Sequence, residues 1–136
     1  MAEFTDEVIG SIIVNIERRP SQRSGLDWHH MGGAAARVPA EATAFPNRRF
    51  AFLYNVLGNW TEAEPDEANR TWARQFASDL ERLGGSPSYV NFLSEPVTSA
   101  GSRAVYGGNS YGRLTDVKRR YDPHNLFRLN QNISPE

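Results

Sequence analysis

The segment SYVNFLSEPVTSAGSRAVYGGNSYGRLTDVKRRYDPHNLFRLNQNISP, residues 88–135, decides how this chain is read. Its opening, Ser88 to Leu93, reads with period two and predicts a strand. On a strand Tyr89 and Asn91 share a face, because successive side chains point opposite ways. Ser102 to Tyr106 predicts a short turn of helix. Tyr106-Gly107-Gly108-Asn109 then makes a tight turn into a longer helix, with Asn109 the expected cap and Tyr111, Leu114, Val117 and Tyr121 inward. Asp122-Pro123 stops that helix, since proline restricts the residue before it and has no N–H to continue the ladder.

Working back from there, Thr5-Asp6-Glu7 starts a helix with a hydroxyl cap and two carboxylates in the positive first turn. Val8, Ile9, Ile12, Ile13 and Ile16 follow on one face of a 3.6-residue period, and Arg18-Arg19-Pro20 closes it. Leu26 to Val38 predicts an extended segment broken at Gly32-Gly33, where small residues allow a bulge or a close approach. Pro39 to Asn47 reads as a loop. Phe50 to Trp60 predicts a half-buried strand, with Phe50, Phe52, Tyr54 and Val56 on one face and Leu53 and Leu57 on the other. Ala68, Trp72, Phe76, Leu80 and Leu83 then form a helical stripe, which Gly84-Gly85 ends. This order of elements gives an α+β fold: an antiparallel sheet flanked by helices.

A chain of 136 residues is the size of one domain with room for a core. Its 15 basic and 16 acidic residues nearly cancel, which gives no drive towards nucleic acid or a membrane surface. Without cysteine there is neither a disulfide framework nor a thiolate metal site, and His29, His30 and His124 are too scattered to argue a metal centre. Acidic residues, Ser11 and Asn15 interrupt the N-terminal apolar pattern, so it reads as neither a signal peptide nor a spanning helix. The expectation is a soluble cytoplasmic protein, with secretion of a longer parent left open.

Taken in order, Tyr89-Val90-Asn91, Tyr106-Gly107-Gly108-Asn109, the run Asp122 to Phe127 and Asn130-Gln131-Asn132-Ile133 resemble the C-terminal segment of the berberine-bridge-enzyme-like flavoproteins. These are FAD-linked oxidoreductases of the vanillyl-alcohol-oxidase superfamily. WHHMGGAAARV (28–38), TAFPNRR (43–49) and the strand ending at Trp60 extend the likeness over nearly the whole chain. The resemblance implies that residues 1–87 are part of the substrate domain of a two-domain flavoprotein and 88–136 its berberine-like segment, together one structural unit. It also implies that FAD is held mostly by an N-terminal domain. Gly32-Gly33 and Gly107-Gly108 are isolated pairs, not phosphate-cradling loops. The chain therefore reads as a fragment, a split-gene product or a remnant whose partner is a separate or missing FAD-binding domain. The implied reaction oxidises a small-molecule alcohol, sugar or related carbon centre by hydride transfer to flavin. The alternative is a non-catalytic module that keeps the fold and offers an exposed face to a partner or to a second copy as a homodimer.

The resemblance assigns Tyr89 as the base that takes the substrate's hydroxyl proton. A phenol, with a reference pKa of about 10, needs a neighbour that favours its ionised form to do so near neutrality. Read from the residues alone, Tyr89 is equally a packed strand tyrosine with its hydroxyl in water. Asn91 can donate and accept at once, which suits the mixed edge of a flavin or a sugar; bonding to nearby backbone is the other reading. One of Asn130 and Asn132 is implied to reach the flavin's pyrimidine region, Asn130 being preferred, although three successive amides also suit a solvated tail. Tyr106 is expected to line the site or to serve the turn, and the run Asp122 to Asn125 to be architectural.

Overall fold

The computed structural model describes residues 1–85, 88–93 and 98–135. In chain order its elements are α1 (Asp6–Glu17), β1 (Gly25–His30), α2 (Ala34–Arg37), β2 (Phe52–Leu57), α3 (Asp66–Arg82), α4 (Ser99–Tyr106) and α5 (Gly108–Tyr121). Single 3-10 turns occupy Ala40–Ala42, Asn47–Arg49 and Val90–Phe92. Helix and antiparallel sheet together make the α+β class expected from the sequence. The chain forms two compact units, the described residues of Met1–Gly32 with Phe50–Ser86 and those of Gly33–Arg49 with Pro87–Glu136.

In the first unit the strands pair antiparallel, Gly25 opposite Leu57 and His30 opposite Phe52. That register puts Leu26, Trp28 and His30 on the same face as Val56, Tyr54 and Phe52. Leu26, Phe52, Tyr54 and Val56 pack against a core of Met1, Val8, Trp72, Phe76 and Leu80. The helices α1 and α3 supply most of that core, and Thr5 caps α1 as expected, its Oγ1 accepting the Val8 N–H at 3.3 Å. Trp72 donates its indole N–H to the Asn15 carbonyl at 2.8 Å, and the Asn15 amide donates to Asp79 at 3.0 Å. Those two bonds tie α1 to α3 and satisfy the polar groups that packing them together buries.

Several stripes differ from the sequence reading. On α3 the buried set is Asn69, Trp72, Phe76 and Leu80, while Ala68 is exposed and Leu83 is 39% exposed. Four-residue steps drift by about 40° each along a 3.6-residue helix, so the earliest step of the series 68, 72, 76, 80 falls off the face. On α1 only Val8 is fully buried, with Ile12 and Ile16 against the core, whereas Ile9 and Ile13 are 44% and 52% exposed. The stripe is narrower than five apolar positions suggest. Beyond β1 the extended reading fails too: Ala34–Arg37 is helical, as a run of alanines with little side-chain entropy at stake permits. Gly32 does carry the expected close approach, because the His30 ring lies 2.7 Å from where a Cβ would stand.

The second unit contains the larger correction. Ser88 to Leu93 is not a strand: Phe92 N–H donates to the Tyr89 carbonyl at 2.8 Å and Leu93 N–H to that of Val90 at 3.4 Å. Among the described residues the sheet consists of β1 and β2, so no neighbouring strand offers this segment a ladder. It closes its own hydrogen bonds instead. Gly107, not Asn109, occupies the N-cap of α5, and its φ of 75° is one that glycine tolerates and larger residues resist. Tyr111 and Thr115 are the buried side chains of α5, while Val117 and Tyr121 are 54% and 72% exposed. Arg103 of α4 stacks over the Tyr111 ring at 5.0 Å, which joins the two helices.

Phe76 is completely enclosed between helices and sheet. Truncation there leaves a cavity that its neighbours refill only in part, and Phe76→Ala is expected to destabilise the first unit by roughly 3–5 kcal/mol. Urea unfolding followed by tryptophan fluorescence should show the midpoint fall with little change in slope.

Candidate functional site: an aromatic cluster around Tyr89

The 3-10 turn Val90–Phe92 brings Tyr89 and Asn91 together without a pleat. Asn91 Nδ2 donates to the Tyr89 hydroxyl oxygen at 2.9 Å. Tyr89 is flanked by two rings at nearly right angles: Phe45 at 5.4 Å and 87°, and Phe92 at 5.2 Å and 82°. Edge-to-face packing of this kind sets the positive rim of one ring against the negative face of another. All three rings keep part of their surface in solvent, and Asn91 is exposed. The result is a partly open wall with a phenol oxygen and a side-chain amide at its edge.

Tyr106, the last residue of α4, joins the same neighbourhood. Burial raises its phenol above the ordinary value, and the nearby Tyr89 adds to that rise. The structure therefore gathers Tyr89, Asn91 and Tyr106, three of the five residues singled out from the sequence. Phe45 and Phe92 were not among them. Their ring partners lie beyond any periodicity, and the only sequence signal for Phe45 was its place in the loop 43–49.

Asn130 and Asn132 sit elsewhere on the terminal segment, and among the described residues no hydrogen bond joins either to Tyr89, Asn91 or Tyr106. Asn130 is exposed with a left-handed φ of 58°, and its carbonyl accepts the Asn132 N–H at 3.0 Å. Asn132 is half-buried, with its Oδ1 enclosed and without a donor. The segment is folded against α5 by cations: Lys118 donates to the Phe127 carbonyl at 2.6 Å, and Arg119 to that of Pro135 at 2.8 Å. Asp122 turns the chain out of the helix. Its carboxylate takes Lys118 Nζ at 2.5 Å, the Leu126 N–H at 2.7 Å and the Phe127 N–H at 3.0 Å.

Residues 88–134 match the family model described as berberine and berberine like. This segment is similar to that family. The chain is 32% identical over 127 residues to berberine bridge enzyme-like 17 of Arabidopsis thaliana, covering 81% of this chain and 24% of that protein. It is 33% identical over 134 residues to YgaK, an FAD-linked oxidoreductase of Bacillus subtilis, covering 97% and 29%. It is 34% identical over 114 residues to (R)-6-hydroxynicotine oxidase of Paenarthrobacter nicotinovorans, covering 76% and 25%. The chain thus spans about a quarter of the length of these relatives. No described helix is long and apolar enough to cross a membrane.

The terminal segment leaves α5 through Asp122, whose carboxyl is held below the usual range chiefly by the Lys118 hydrogen bond, with the Leu126 and Phe127 amides adding to it and desolvation opposing. A depressed folded pKa gives stability that is complete above the unfolded value of about 3.9 and is lost as pH falls through the lower folded value. Amide exchange at Leu126 and Phe127 should therefore stay slow down to the ordinary carboxylate range and quicken only below it. Asp122→Asn should quicken it at neutral pH as well.

Proposed function

We propose that this chain is the C-terminal portion of an FAD-dependent oxidoreductase that oxidises an alcohol, sugar or related carbon centre, and that the cluster around Tyr89 faces the reacting substrate. The observation that carries the reading is the Asn91 amide donated to the Tyr89 hydroxyl within a segment similar to the berberine-like family. That bond fixes the rotation of the phenol and strengthens as negative charge gathers on its oxygen. It is the kind of neighbour a phenol needs to act as a proton acceptor.

When bound, FAD would supply the two-electron acceptor for oxidation of the substrate carbon. On this chain, Tyr89 in its ionised form takes the proton of the substrate hydroxyl on its phenolate oxygen and becomes the neutral phenol. Asn91 holds that oxygen in place, and Phe45 and Phe92 pack edge to face against its ring. Partly open ring faces beside an amide suit a flat heterocycle, so the residues present fit a flavin or its substrate. Asn91, Asn130 and Asn132 are the side chains proposed to hold the cofactor's polar edge, with Asn130 the more accessible of the terminal pair. This reading assigns most of the FAD contacts to the part of the relatives' length that the chain does not span. Leu126, Phe127 and Leu129 are 73%, 82% and 84% exposed, which supports docking of the terminal segment against that FAD-binding portion.

Removing a positioned base costs about 10²–10⁴ in rate. In the FAD-containing enzyme that includes this chain, Tyr89→Phe should slow flavin reduction by about that factor in stopped-flow absorbance, with FAD still bound. Reduction at the unaltered rate removes Tyr89 from the mechanism. Loss of FAD from the variant assigns the residue to cofactor binding instead.

A further inference from the structure

Tyr89 owes its orientation to more than its own turn. Phe45, which meets it edge to face, comes from the loop 43–49, and that loop contains no regular element except the 3-10 turn Asn47–Arg49. A residue in such a loop needs fastening if it is to hold a neighbour's ring still. The side chain of Arg48 provides the fastening. Its Nη1 donates to the Ala35 carbonyl at 2.9 Å and its Nη2 to Thr43 Oγ1 at 2.9 Å. The same Thr43 hydroxyl oxygen accepts the Phe45 N–H at 3.3 Å. The Arg48 guanidinium also lies over the Phe45 ring at 5.4 Å from its centroid.

One planar cation thus touches α2, the hydroxyl that fixes Phe45's backbone, and the face of Phe45's ring. Among the described residues no salt bridge pairs Arg48 with a carboxylate, and its Nε is buried without an acceptor. Burying an unpaired donor is unfavourable, so the two terminal N–H groups and the ring, not a counter-ion, set where the guanidinium sits. Only a rigid fork reaches both acceptors while stacking on a ring; a lysine ammonium is a single point charge on a flexible stem.

We propose that Arg48 is a positioning residue for Tyr89, acting through Thr43 and Phe45. It clamps the loop so that the Phe45 ring fixes the ring it packs against. The clamp stands on its own contacts, and its significance for catalysis rests on the reading of Tyr89 as the proton acceptor.

The test uses the full chain and the ring resonances of Tyr89, assigned by the peak that disappears in Tyr89→Phe. Phe45→Leu shifts those resonances by removing the neighbouring ring. Arg48→Lys and Thr43→Val should move them in the same direction, and Arg48→Lys combined with Phe45→Leu should move them no further than Phe45→Leu alone. Thr43 is exposed, so its variant reports on the clamp even if the arginine variant folds poorly. Tyr89 resonances unmoved in both variants, with only the melting temperature lowered, would overturn the clamp while leaving the role of Tyr89 intact. Shifted resonances together with undiminished flavin reduction in the Tyr89→Phe enzyme would keep the clamp and remove the catalytic reading it serves.

Discussion

The amide of Asn91 reaching the phenol oxygen of Tyr89 is the interaction on which the functional unit turns. Two residues apart, these side chains meet only because the backbone between them closes a 3-10 turn; on a pleated strand they would stand side by side without meeting head to side. Among the described residues no strand lies beside this segment, and it bonds to itself. Phe92 of the same turn flanks the phenol ring on one side, and more distant sequence supplies the rest: Phe45 from a loop some forty residues earlier and Tyr106 from the end of α4. The phenol is thus held by contacts from two stretches of chain, the loop 43–49 and its own turn, and a side chain so held spends little entropy in reaching one orientation.

The glycine and aspartate at the two ends of α5 do related work. Gly107 lets the chain reverse from α4 into α5 with a positive φ, keeping Tyr106 at the edge of the cluster. Asp122 collects a lysine and two amides and sends the terminal segment back along the helix. That segment then presents Leu126, Phe127 and Leu129 to solvent.

How much of this could be read in the sequence differs by element. Long periodic stretches were legible: α1 with its threonine cap, α3 with Trp72, Phe76 and Leu80, and β2 with its two faces. Boundaries set by helical drift were not, because Ala68 and Asn69 are adjacent and only the accumulated angle decides which one is buried. Short apolar alternation misled at Ser88 to Leu93, since six residues cannot reveal whether a neighbouring strand exists. The site was half legible. Motif order pointed to Tyr89, Asn91 and Tyr106, but the ring partners Phe45 and Phe92 and the clamp at Arg48 arise from tertiary meetings that no spacing encodes.

The central claim is that the Tyr89 phenol and the Asn91 amide line a cavity shared with a flavin. A crystal structure of the FAD-containing enzyme that includes this chain tests it most directly. The account predicts the Tyr89 ring and the Asn91 amide on the wall that faces the isoalloxazine, with the phenol oxygen opening into the substrate space and contacts within about 4 Å. A flavin ring lying against other residues, with Tyr89 turned to bulk solvent or sealed inside the second unit, would contradict it.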